Sequence, residues 1–194
     1  MNNWIDLGRQ TLTNPRAAAR RVLALNLPDQ VWWTALALCA ILSAAVMALL
    51  MQTVSLPDDE QQALPQFGGP IRTAMVLFAI SAVTVWCMAK IGRMFGGRGS
   101  MSGALALSAW LQVVLTTVSL ALKVLGVALP IVEVLAAVVL ALVSIWVFVV
   151  FVAELHGFQS LALVFVGVIG ASFLVASFLT VVAAATGLIV TSEG

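Results

Sequence analysis

The sequence predicts an all-α integral membrane protein, with five transmembrane helices preceded by a short amphipathic helix. Three observations lead there. Of the 194 residues, 62% are hydrophobic and 9% charged, against roughly 25% charged residues in soluble domains. From Val31 onward the chain is a series of long apolar runs separated by brief polar breaks, and a hydrocarbon core about 30 Å thick needs roughly 20 apolar residues in a helix. The charges gather in the breaks rather than in the runs.

The first thirty residues form a cytoplasmic, basic segment. Trp4, Ile5, Leu7 and Leu12 are apolar residues among polar ones. Asn14-Pro15 is a helix start, with Asn as the cap and Pro in the first turn, and the helix continues to about Asn26. Arg16 and Arg20 are one turn apart, while Ala18, Val22 and Leu25 fall on another face. Such a helix is expected along the cytoplasmic lipid surface, with Arg16, Arg20 and Arg21 contacting headgroups. The alternative is that these charges only set topology. Leu27-Pro28-Asp29 ends the segment, and Trp32 and Trp33 sit where an interfacial aromatic anchor belongs.

The transmembrane domain then occupies residues 31–190, with spans at about 31–54, 71–91, 102–123, 131–153 and 160–187. Arg72 and Lys90 lie at the ends of the second span, where both can snorkel to headgroups. Gly96-Gly97-Arg98-Gly99-Ser100 is a loop by composition, and Ser100 or Ser102 can cap the third span. Gly126 and Pro130 mark a tight turn. A re-entrant pair is the alternative for the spans around it, but each is long enough to cross. The fifth apolar stretch exceeds what a bilayer needs and is expected to tilt, bend near Gly167 and Gly170, or fray near Gly187.

The placement of charge gives the orientation. Arg9, Arg16, Arg20 and Arg21 precede the first span, and Lys90, Arg93 and Arg98 surround the second break, whereas the first break carries Asp58, Asp59 and Glu60. Basic residues in short loops mark the cytoplasmic side. The amino terminus and the 92–101 loop are therefore expected inside, and the 56–70 loop and carboxyl terminus outside. A cleaved signal peptide is not expected, because a long basic segment precedes a full-length span. Cys39 and Cys87 both fall inside spans and read as small buried residues rather than a disulfide framework.

By this order of features the chain resembles the Yip1 domain family of five-span membrane proteins. The matching elements are the Asn14-Pro15-Arg16 helix, the Leu27-Pro28 approach to the first span, and the Gly96-Gly97-Arg98-Gly99-Ser100 loop with Gly103 and Trp110 following. The fourth span ends in Glu154-Leu155-His156-Gly157-Phe158. The similarity covers about residues 10 to 190 and looks like that to a bacterial member, since the long cytoplasmic tail of eukaryotic relatives is missing. Eukaryotic members bind Rab GTPases and shape or traffic early secretory membranes. For a short bacterial chain the resemblance implies the fold more strongly than that role; alanine-rich spans and terse loops also suit the bacterial inner membrane.

Ionisable and polar residues at membrane depth are costly, so they are the candidates for function. Lys123 and Glu133 lie symmetrically about the Gly126 to Pro130 turn, and antiparallel helices joined there would bring them to similar depth. A salt bridge pinning the hairpin is expected; independent snorkelling and a place in an ion path are the alternatives. Glu154 and His156, spaced i, i+2, do not share a helix face. They are expected to cap helix ends or to contact a loop arginine such as Arg93 or Arg98. Gln112 in hydrocarbon wants a hydrogen-bond partner and reads as helix glue, with pathway lining as the alternative.

No catalytic constellation, nucleotide-binding loop or metal-ligand set is present in the sequence. The expectation is a protein that is not an enzyme and takes no cofactor or metal. Its expected partners are membrane lipids, other integral membrane proteins or a second copy of itself, and not nucleic acid. The leading function is a membrane organiser or adaptor; the alternative is a small transporter or channel subunit.

Overall fold

The computed structural model describes residues 2–53 and 69–185, and among these the chain is helical. The order is α1 (Asn2–Thr13), α2 (Pro15–Ala24), α3 (Asp29–Thr53), α4 (Pro70–Met94), α5 (Met101–Gly126), α6 (Pro130–His156) and α7 (Leu161–Ala185). The loop read at 56–70 lies almost wholly outside the described residues, as do the last residues of the predicted fifth span.

Local chemistry sets the helix starts. The Asn14 side chain accepts from the Ala17 N–H at 3.3 Å, and Pro15 occupies the first turn of α2. Prolines also open α4 and α6, where a missing N–H costs nothing because the first-turn donors have no helical acceptor. Ser100 starts α5 by accepting from the Gly103 N–H at 3.0 Å. Ser102 has a different role and donates to Asp29 Oδ2 at 2.9 Å, tying α5 to the start of α3.

Four helices are long and apolar enough to cross a membrane: α3 over Asp29–Leu50, and α4, α5 and α6 over their whole lengths. The fifth predicted span corresponds to α7, whose described apolar stretch is the shorter Leu161–Ser177. Valine and leucine side chains on α6 face outward over several turns, among them Val134, Leu135, Val138, Val139 and Leu142. An apolar face of that extent is suited to lipid, not water.

α5 is central and packs against α3, α4 and α6 as well as the amino-terminal pair α1 and α2; α7 joins through α6. The tightest packing lies at one end of the bundle. There α5 is buried from Gly103 to Leu107, and again at Ala109, Trp110 and Leu111. It meets Val147, Val149, Phe151 and Ala153 of α6, Val85 and Ala89 of α4, and Ala18, Ala19 and Val22 of α2. Toward the other end the same helices grow exposed. α5 and α6, with 26 and 27 residues, are about 39 and 40 Å long at 1.5 Å per residue. That exceeds a hydrocarbon core of about 30 Å, and α1 and α2 cover the surplus at the packed end.

The amino-terminal pair is thus part of the bundle. α1 was not anticipated as a separate helix, and α2 buries its apolar face against protein: Ala18 and Ala19 are wholly buried. Trp32, read as an interfacial anchor, is a core residue instead, 5% exposed. It points inward because its neighbour Trp33 takes the outer direction, half-buried against Phe78 at a ring distance of 5.9 Å.

Candidate functional site

The packed end gathers most of the polar residues singled out from the sequence. Its centre is His156, the last residue of α6, 3% exposed. Two glycine-ended helices meet there. α6 stops at Gly157, whose φ of 73° is left-handed, and Phe158 N–H bonds back to the Ala153 carbonyl at 2.9 Å. α4 stops in the same manner through Gly96, φ 84°, with Gly97 N–H on the Gly92 carbonyl at 2.9 Å. Glycine reaches this conformation without the clash that a Cβ creates.

The imidazole fills the space between them. Gly99 N–H donates to His156 Nδ1 at 3.1 Å, and Nε2 lies 2.9 Å from the Met88 carbonyl. The first bond requires Nδ1 to be the acceptor and the second requires Nε2 to carry the proton, which defines one neutral tautomer. Phe158 stacks on the ring at 5.5 Å, and the Arg98 N–H donates to the His156 carbonyl at 3.3 Å. A Cβ on Gly92, Gly97 or Gly99 would run into the imidazole. These glycines leave room for the ring, a role that their reading as a loop by composition misses.

Glu154, two residues earlier, points the other way. Its Oε1 accepts from Arg20 Nε on α2 at 2.6 Å. Its partner is Arg20 and not Arg93 or Arg98, because α2 packs across the end of α6; the expected contact with a loop arginine is made instead at the His156 carbonyl, by the Arg98 N–H. The partnership raises the Arg20 pKa above its usual value, through the hydrogen bond first and the carboxylate charge second. Arg21 donates to Gln10 Oε1 at 2.7 Å and to Asn3 Oδ1 at 3.3 Å, which joins α2 to α1. Of the three arginines expected to contact headgroups, Arg20 and Arg21 therefore hold protein groups; Arg16 is exposed, as are Arg93 and Arg98.

A residue that the sequence reading passed over, Thr11, fastens α1 to the bundle. Thr11 is fully buried, bonds its own helix at the Leu7 carbonyl, and accepts from Trp110 Nε1 at 2.8 Å. Trp4 lies against the same indole, with ring centroids 5.8 Å apart and planes tilted by 38°. The spacing of Leu7 and Thr11, one turn apart on α1, was the available signal.

Toward the opposite end, Lys123 Nζ stands 3.4 Å from Glu133 Oε1 across the α5–α6 turn. Gln112 Oε1 accepts from Ser81 Oγ of α4 at 3.0 Å. Cys39 and Cys87 are free thiols.

A family model described as the Yip1 domain matches residues 9–183. No curated protein matches the chain, and no solved structure does.

Proposed function

This chain belongs to the Yip1 domain family, and we propose that it acts as a non-enzymatic organiser or adaptor, holding membrane lipids, other membrane proteins or a second copy of itself at its basic end. One observation carries the reading. The α1–α2 pair is bonded to the bundle through Arg20–Glu154 and Thr11–Trp110, so one rigid end presents exposed Arg9, Arg16, Arg93 and Arg98. Beside them stand the exposed apolar side chains of Trp4, Ile5, Met94 and Phe95. Cations next to apolar side chains suit a headgroup layer, where each cation contributes about 1 kcal/mol against anionic lipid.

In this reading the basic end is cytoplasmic, by the rule that Lys and Arg mark the inner loops. α7, 25 residues long, is the fifth crossing and puts the carboxyl-terminal end on the far side of a bacterial inner membrane. The test is purification in mild detergent with mass spectrometry of the retained lipids and proteins. Anionic lipid should stay with the wild type and be lost from a variant carrying Gln at positions 9, 16, 93 and 98. Equal retention by both would refute the headgroup role. A protein recovered in stoichiometric amount would support the adaptor role.

A second reading, a small transporter or channel subunit, is favoured by a cleft that passes Gln112. Passage of a solute along that cleft to both faces of the membrane decides between the two; water within it does not.

A further inference from the structure

Between α3, α4 and α5, beyond the Ser102–Asp29 bond at the basic end, lies a cleft of about 640 Å³. That volume is within the roughly 300–1,000 Å³ of small-molecule sites. Its walls differ in character. α3 contributes Leu42, Val46, Met47 and Leu50 with one polar residue, Ser43, whereas α5 contributes Leu111, Leu115 and Leu120 beside five polar residues, Ser108, Gln112, Thr116, Ser119 and Lys123. These five recur every three or four positions and so form one polar stripe along the helix, about 22 Å long at 1.5 Å per residue. Ser81 and Thr84 of α4 face it near the closed end.

The outward surface of α6, by contrast, is valine and leucine at consecutive turns. Gln112 makes the contrast quantitative. Its carbonyl oxygen accepts from Ser81, but no group among the described residues accepts from its amide nitrogen. That nitrogen is also not a buried unpaired atom, so it opens on the cleft. An amide left unpaired against hydrocarbon costs several kcal/mol, whereas in water it costs nothing. Lys123 closes the stripe at its outer end. Its ammonium has three donors, one is directed at Glu133, and the side chain is 39% exposed.

We propose that this cleft is a hydrated binding site for an anion, a phosphate or carboxylate held at Lys123, with the rest of its molecule lying between the α5 stripe and the apolar α3 wall. The site is separate from the basic-end contacts proposed above and does not depend on them.

The test uses single cysteines in a Cys39→Ala, Cys87→Ala background, in nanodiscs, with folding checked by circular dichroism and a monodisperse elution peak. Ser119→Cys and Ser108→Cys should react with a water-soluble thiol reagent at least about tenfold faster than Val139→Cys on the lipid face. Rates no faster than that control would mean lipid chains fill the cleft, and the proposal fails. At Ser119→Cys a sulfonate-bearing reagent should outpace a trimethylammonium one, and Lys123→Gln should abolish the difference; an unchanged ratio removes Lys123 as the anion contact. An uncharged reagent then identifies the source. Protection by inorganic phosphate in phosphatidylcholine nanodiscs supports a free anion, and protection only when phosphatidylglycerol is included supports a lipid headgroup. Protection by neither overturns the anion site.

Discussion

Arg20 and Glu154 are 134 positions apart in the chain, yet Nε of one donates to Oε1 of the other at 2.6 Å. The bond holds a helix that precedes the membrane domain against the end of a helix that crosses it. A folded pKa raised above the unfolded value gives stabilisation that is complete below the unfolded value and is lost as pH rises through the folded one. Arg20 is such a group, so its side of the pair does not change across the physiological range. Salt is the effective variable, because the Arg20 side chain is 68% exposed and exposed pairs are screened.

Reversing either charge should loosen the amino-terminal pair. Arg20→Glu and Glu154→Arg are each expected to speed proteolysis in the link at 25–28 several-fold at low salt, with the double reversal returning toward the wild-type rate. Cleavage of the double variant as fast as either single one would show that the bond does not hold α2.

His156→Ala should destabilise the protein by about 2–4 kcal/mol, combining a cavity with an unpaired Gly99 N–H. Gly92→Ala should also destabilise, since its Cβ meets the far edge of the ring. Combining the two should cost less than their sum, because the methyl enters space the imidazole has left. Thermal unfolding in detergent measures all three, and strict additivity would argue against the cradle.

Thr11→Val keeps shape but removes the acceptor for the Trp110 indole. A loss of about 1–2 kcal/mol is expected, with faster hydrogen exchange confined to α1 and α2. Unchanged exchange there would mean the bond contributes nothing to docking.

Lys123 and Glu133 are only partly buried, so their coupling should be about 0.2–1 kcal/mol. Lys123→Glu or Glu133→Lys should lower the melting temperature and the swapped pair should recover it. A swap as unstable as either single reversal would count against the pairing.

The parts of this architecture that were legible in the sequence are those governed by neighbouring residues. Asn14 capping α2 and Pro130 opening α6 need no tertiary information, and Lys123 and Glu133 are related by a single turn. What was hidden depends on packing direction. Trp32 and Trp33 point about 100° apart on a helix, and nothing local says which faces the core. Glu154 has several arginines within plausible reach, and only the placement of α2 selects Arg20. The glycines at 96, 97 and 99 read as a loop by composition, and nothing local says that His156, 57 positions after Gly99, packs among them.

Synthesis runs from the amino terminus, so α1 and α2 leave the ribosome long before Glu154 and Trp110 exist. In that interval Leu7, Ala18, Ala19 and Val22, buried in the finished protein, have no protein surface to cover them. The bilayer interface is the available shelter for an amphipathic helix. The contacts of this hairpin with the bundle therefore stay incomplete until the end of α6 has been made, because Glu154 is its most distant partner in the chain.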